Sequence, residues 1–301
     1  MSEKMSRRSF VRTCGMGAVA AMAGGMTATD TKRAAAETAS GSELKKGVIF
    51  GMLPGNLSIE DRFKLAADVG FDGTEIGTVR DAKTLKRMMA ASEKTGVRIH
   101  SVMNSDHWQY PLSSANPEVV AKGMKCMEIS LHNAHDCGAD TVLLVCAVVN
   151  PKVTYGEAYE RSQKQIRKLL PLAEKLKVII GIENVWNKFL LSPLEFARYV
   201  DEFKTPFLRA YFDVGNVVLF GYPQDWIRTL GSRIIKLHVK GFDARKNRFT
   251  NLRDGTIDWP EVRRAVKEIG YRGFMSAELG GGDRDYLKDV SERMDKIIAG
   301  E

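Results

Sequence analysis

The stretch VIIGIENVW, residues 178–186, is an apolar run that ends on a carboxylate. Val178, Ile179, Ile180 and Ile182 surround Gly181 as in a strand buried on both faces, the pattern of a parallel sheet covered by helices. Glu183 stands where the apolar run stops. A charge at such a place costs on the order of several kcal/mol unless something pairs with it. The fold therefore has to bring a partner to the carboxyl end of this strand.

Working outward, the same unit recurs along the chain from about residue 46. KGVIFGML predicts a first strand, followed by a helix with Ser58 as N-cap and Gly70 beyond its end. FDGTEIG and VRIHSVM predict strands two and three, separated by a helix stopped at Gly96. A helix over 116–137 opens with the pair Asn116-Pro117 and ends at Gly138. ADTVLLVCA is strand four, and a helix over 155–176 leads into the stretch quoted above, strand five. Beyond it come a helix over 193–203 capped by Ser192, strand six in FLRAYFDVGN, and a short helix over 223–230. RIIKLHVKG is strand seven, a helix over 258–269 ends at Gly270, GFMSAEL is strand eight, and a last helix covers 283–299.

Eight alternating strand–helix units predict an α/β fold of the (β/α)8 TIM-barrel kind, for which about 250 residues is typical. The doubly wound open sheet is disfavoured, because GMLPGN after the first strand is not a GxGxxG phosphate loop.

The first residues read differently. MSEKMSRRSFVRTCGMGAVAAMAGG has a basic start with Arg7-Arg8, then a weakly apolar, Gly- and Ala-rich segment. The pattern resembles a twin-arginine export signal. We assign residues 1–36 to the signal, 37–46 to a linker and 47–301 to a single barrel domain. An exported, periplasmic protein follows, with no stable membrane insertion once the signal is cleaved, since the segment is too short and too rich in small residues to span. The signal holds six basic and two acidic residues, so it accounts for +4 of the formal +8 and leaves +4 on the rest. That remainder has interspersed charges and no basic run or basic–aromatic stripe, which argues against a nucleic-acid partner. Cys126, Cys137 and Cys146 are an odd number in apolar or helical settings, unlike a disulfide framework, and no CxxC metal spacing occurs.

A barrel works at the carboxyl ends of its strands. Those ends carry Glu75, His100 with Asn104 just beyond, Glu183-Asn184, Asp213, His238 with Lys240, and Glu278. Strands five to eight thus deliver Glu183, Asp213, His238 and Glu278 towards one mouth. Three crowded carboxylates would repel and force protonation, and a divalent cation removes the difficulty. Three carboxylates and one imidazole suit one divalent ion, Mn²⁺ first, with Mg²⁺, Co²⁺ or Zn²⁺ as alternatives. His132 and His135, three apart on the third helix, lie far from this mouth and read as helix-surface residues.

The motifs IENVW, FDVGNVVLFG, LHVKGF, DGTIDWPEV and MSAEL, in this order, resemble the xylose isomerase-like TIM barrels, which include sugar phosphate isomerases and epimerases and the ketose 3-epimerases. The resemblance covers roughly residues 47–300 and implies that Glu183, Asp213, His238 and Glu278 bind the metal. It also implies that Glu183 and Glu278 are the catalytic pair, flanking the substrate and exchanging a proton with the carbon beside its carbonyl. The chemistry is coherent: a cation on the carbonyl oxygen stabilises the enediolate, and return of the proton from a second carboxylate gives an epimer or, at the adjacent carbon, an isomer. Candidate substrate-binding residues are Glu75, His100, Asn104, Trp108, Asn184, Trp186, Asn216 and Lys240. Lys240 would add positive charge at the oxyanion, and the two tryptophans would stack on a sugar face. The chain departs from many ketose 3-epimerases at Asn216, where those have a histidine, and this leaves the particular sugar open.

The expected activity is that of a metal-dependent carbohydrate isomerase or epimerase. The partner is a small sugar or keto-glycoside, unphosphorylated if the protein is exported. Cleavage of a 3-keto-glycoside by β-elimination would use the same site, and a sugar-binding protein without turnover is a further alternative.

Overall fold

The computed structural model describes residues 44–301. The residues assigned to an export signal, Cys14 among them, and most of the expected linker lie outside the described residues. Eight parallel strands close into a barrel: β1 (Lys45–Ile49), β2 (Gly73–Gly77), β3 (Arg98–Met103), β4 (Thr141–Leu144), β5 (Ile179–Glu183), β6 (Leu208–Asp213), β7 (Ile234–Val239) and β10 (Phe274–Ala277). Each pairs with its sequence neighbours, and β10 closes on β1. The helices on the outside are α1 (Ile59–Asp68), α2 (Ala82–Thr95), α3 (Pro117–Asp136), α4 (Tyr155–Leu176), α5 (Pro193–Asp201), α6 (Pro223–Leu230), α7 (Trp259–Glu268) and α8 (Arg284–Ala299). The TIM barrel expected from the strand–helix alternation is the fold.

The helices start where the sequence offers an oxygen to the first free N–H groups. Ser58, Asn116, Ser192, Asp258 and Asp283 each accept from a backbone amide in the first turn. Thr154 and Glu157 form a reciprocal capping box on α4. Such caps contribute about 1 kcal/mol each. At the other end of α2, Gly96 takes φ 74°, a left-handed turn that a residue with a Cβ adopts only under strain. One side chain from every helix but α2 shows how the layers meet: Phe63, Leu131, Ile166, Phe196, Ile227, Val262 and Leu287 are wholly buried. Burial of each stabilises by roughly 1.5–3 kcal/mol.

Differences from the expected elements are local. The first strand stops at Ile49, and Phe50–Met52 form a turn of 3-10 helix instead of continuing it. A hairpin, β8 (Gly241–Asp243) with β9 (Arg248–Thr250), follows β7 directly and was not foreseen. It packs so closely on the next segment that a Cβ at Gly241 would lie 2.0 Å from the Asn251 carbonyl oxygen.

Inside the barrel the side chains are more polar than the strand sequences suggest. β7 turns Lys236, His238 and then Lys240 inward at the strand period of two. Lys236 is almost fully buried, with Nζ 2.8 Å from Asp140 Oδ1. His100 stacks on Phe274, centroids 4.0 Å apart, and its Nε2 lies 3.1 Å from Ser276 Oγ.

Candidate metal centre

The ligand set is assembled by the stagger of the strands. Glu183, last in β5, is level with Tyr211 of β6, and Asp213, two residues on, is level with His238 of β7. Glu278 lies just past β10, its N–H donating to the Val239 carbonyl at 3.0 Å. A tilted barrel thus brings residues from successive strands to one height. One ligand atom from each of Glu183, Asp213, His238 and Glu278 lies within 4.8 Å of the others.

His238 Nδ1 is 3.1 Å from Glu183 Oε1 and 3.3 Å from Glu278 Oε2, and its Nε2 is 3.0 Å from Glu75 Oε1. Tyr211 donates its hydroxyl proton to the other oxygen of Glu75. Lys240 Nζ lies 2.5 Å from Glu278 Oε2 and 3.2 Å from Asp213 Oδ2. Glu75, Asp213 and His238 are fully buried and Glu183 nearly so, whereas Glu278 is partly open.

The electrostatics follow from this crowding. Burial, then the charge of Glu278, pushes the Glu183 pKa up. Burial also raises Asp213, to about 7, with Lys240 opposing. For Glu278 burial works against the charge, but His238 and Lys240 outweigh it and hold the pKa well below the usual carboxylate range. Burial disfavours a charged His238, yet Glu75, Glu278 and Glu183 together hold its pKa well above the ordinary value. Asp213 Oδ2 is buried and accepts no hydrogen bond, although Lys240 sits at ion-pair distance. An unsatisfied buried carboxylate oxygen grouped with two further carboxylates and an imidazole fits a divalent cation held by Glu183, Asp213, His238 and Glu278.

The other residues singled out in the sequence take distinct places. Asn184 brackets the backbone of Asp213, donating to its carbonyl and accepting from its N–H, both at 2.9 Å. Asn216 donates from its side chain to the Asn184 carbonyl at 3.0 Å, and its N–H bonds Asp213 Oδ1 at 2.6 Å. Trp186 Nε1 donates to the Asn216 carbonyl at 3.0 Å. These three brace the loops that carry Glu183 and Asp213. The Trp186 ring stays 43% exposed and leans on Phe249 of the hairpin at 4.8 Å, and Phe249 lies beneath Lys240 Nζ, 5.3 Å from its centroid. Trp108 is half exposed on another loop. Asn104 is buried with its Nδ2 unpartnered, and its Oδ1 accepts from the Asp106 N–H. His100 is not at the mouth: it belongs to the interior layer with Phe274 and Ser276, because the inward face of β3 at that height is covered. His135 is tied to the Leu176 carbonyl on the outer helices. Tyr211 and Phe249 were missed by sequence reasoning. Counting back two residues from Asp213 would have found Tyr211, while nothing in the sequence marked the hairpin.

The closed barrel, with acids and an imidazole at its carboxyl-end mouth, agrees with a family match. Residues 63–297 match the family model of xylose isomerase-like TIM barrels, and the chain belongs to that family. Its homologues include L-ribulose-5-phosphate 3-epimerase UlaE of Escherichia coli O1:K1, 24% identical over 250 residues, which are 79% of this chain and 87% of that protein. The fold is also that of 3-keto-D-glucoside 4-epimerase YcjR from E. coli, with TM-score 0.72, 15% identity, and coverage of 85% of this chain and 99% of that one. D-psicose 3-epimerase from Clostridium cellulolyticum H10 superposes with TM-score 0.70 at 17% identity, covering 84% of this chain and 97% of that one. Among the described residues no helix is long and apolar enough to cross a membrane.

Proposed function

We propose that this chain is a divalent-metal-dependent sugar epimerase or isomerase in which Glu183 and Glu278 exchange the proton on the carbon beside the sugar carbonyl. The observation that carries the reading is the approach of these two carboxylates, from β5 and from beyond β10, to within 3.3 Å of the same nitrogen of His238. Binding alone needs no such opposed pair. A divalent ion held by Glu183, Asp213, His238 and Glu278 would supply the positive charge against which the negative charge of the deprotonated sugar builds. One carboxylate takes the proton, the other returns one from the opposite side, and Lys240 keeps Glu278 ionised and offers a donor to the developing oxyanion. Asn184 holds Asp213 in place through its backbone, and the Asn216 N–H holds its carboxylate.

The family membership and the sugar-epimerase homologues support this reading. We further propose that Mn²⁺ is the working ion, that residues 1–36 direct twin-arginine export to the periplasm, and that the substrate is consequently an unphosphorylated sugar or keto-glycoside. Trp186 and Phe249, exposed beside Lys240, favour a second reading in which a ring at C1 of a 3-keto-glycoside rests on them and leaves by β-elimination.

The test is proton exchange. Mn²⁺-loaded protein is incubated in heavy water with free ketoses and with 3-keto-glycosides, and the sugars are separated and read by NMR. Deuterium in an epimer or isomer supports the first reading, and release of the C1 group the second. Saturable sugar binding without exchange would overturn both.

A further inference from the structure

We infer that Glu75, itself held by Tyr211, is a positioning residue for the metal ligand His238, and not a contact for the sugar. This rests on the metal-dependent reading above. An imidazole can meet a cation through only one of its nitrogens, and which one is set by the hydrogen bond the other makes. Here the assignment is visible. His238 Nδ1 faces Glu183 and Glu278, whereas Nε2 points the other way, 3.0 Å from Glu75 Oε1. Nδ1 lies among the acids that would share the ion, so with a cation there the Nε2–Glu75 contact keeps the proton on Nε2 and leaves the Nδ1 lone pair for the ion.

Three features show that Glu75 is built for this task. Its second oxygen is taken by the Tyr211 hydroxyl, so both oxygens are occupied from within the barrel. Glu75 and Tyr211 are fully buried, and Glu75 meets His238 at the nitrogen turned away from Glu183 and Glu278. The Tyr211 ring also packs against the imidazole at 4.6 Å, fixing the plane whose edge Glu75 holds. The backbone bears the same mark. Pairing of β2 with β3 slips between Thr74 and Glu75, and pairing of β6 with β7 slips between Ala210 and Tyr211. Irregularities of this kind re-aim side chains, and here they fall at the two residues that meet across the barrel. A purely structural role accounts poorly for the arrangement, since apolar residues of similar volume fill an interior at no electrostatic cost.

The experiment compares wild type, Glu75→Gln and Tyr211→Phe by Mn²⁺ titration calorimetry, thermal melting without metal, and ¹⁵N-histidine NMR of the Zn²⁺-loaded proteins. Glu75→Gln is expected to weaken Mn²⁺ binding by 10- to 100-fold, with the melting temperature of the metal-free protein changing little. Tyr211→Phe is expected to move affinity in the same direction by a smaller factor. The wild-type spectrum should show a proton on Nε2 of His238 and the ion on Nδ1. Wild-type affinity in Glu75→Gln with a raised KM would return Glu75 to the sugar and overturn the inference, as would a spectrum with the ion on Nε2. Should Glu75→Gln not fold, Tyr211→Phe carries the comparison, and unchanged Mn²⁺ affinity there overturns the inference. If wild type binds no Mn²⁺ saturably, the metal reading itself falls.

Discussion

Lys240 Nζ sits 2.5 Å from Glu278 Oε2, so the partly open carboxylate of the pair is held by an ammonium group that β7 sends up from the barrel interior. The contact keeps Glu278 ionised while burial and Glu278 itself push Glu183 towards its protonated form. Two acids in one site thereby have unequal proton affinities.

Replacing Lys240 by Met should separate metal binding from turnover. A positive charge beside the ligand set repels a cation, so Mn²⁺ affinity should hold or tighten. Loss of the donor to the oxyanion should slow proton exchange by roughly 10²-fold or more. Calorimetry and deuterium incorporation read the two effects, and weaker metal binding with unchanged turnover would remove Lys240 from the proposed role.

Glu183→Gln and Glu278→Gln should each lower exchange by about 10³-fold or more while the barrel stays folded. Glu183→Gln relieves a buried, crowded acid, so without metal it should melt no lower than wild type, whereas Glu278→Gln gives up contacts with His238 and Lys240 and should melt lower. Circular dichroism melts and the heavy-water assay check this. Full activity in either variant with the ion bound would take that carboxylate out of the mechanism.

Metal should stabilise the fold by mass action. At 100 times its Kd, Mn²⁺ adds about 2.7 kcal/mol, a rise in melting temperature of roughly 5–10 °C for a domain of this size. Chelation with EDTA should reverse it. The Asp213→Asn variant should show a much smaller rise, and an equal rise would place the ion elsewhere.

Acid sensitivity should come partly from His107, which is buried and accepts the Val145 N–H on Nδ1. Burial lowers its pKa from 6.5 to about 4. The unfolded chain therefore takes up this proton first, and stability is lost as pH falls from 6.5 towards 4, by about 3 kcal/mol at most. His107→Asn retains an acceptor near Nδ1 and cannot titrate. Its melting temperature should decline less over this window, and identical slopes would assign the acid loss to other groups such as His100.

The barrel could be read from the chain because its signals are local. Apolar strands, the N-caps Ser58, Asn116 and Ser192, and Gly96 and Gly138 beyond helix ends each mark a boundary within a few residues. The ligand set was legible for a related reason: once the strands are placed, a carboxyl end is a position in sequence. The roles of Asn184, Asn216 and Glu75 were not legible, because each depends on what another strand or loop brings to it. Asn184 is occupied by the backbone of Asp213, and Glu75 by His238 and Tyr211. His100 shows the limit of strand-end reading: three residues short of the end of its strand, an imidazole is filling material next to Phe274. The hairpin of β8 and β9 escaped because ARKN, residues 244–247, reads as a polar turn, with strands of three residues on either side.

The inward column of Lys236, His238 and Lys240 has a consequence for how the chain finds its fold. Side chains on a strand alternate, so a slip of β7 by one residue would turn all three polar side chains into the apolar layer beneath the helices and thrust Leu237 and Val239 among the acids. No neighbouring register offers Lys236 its Asp140 or His238 its Glu75 at the same time. The strand is thus keyed to one alignment by the very groups that serve the site, and a misthreaded barrel is penalised before any ligand arrives.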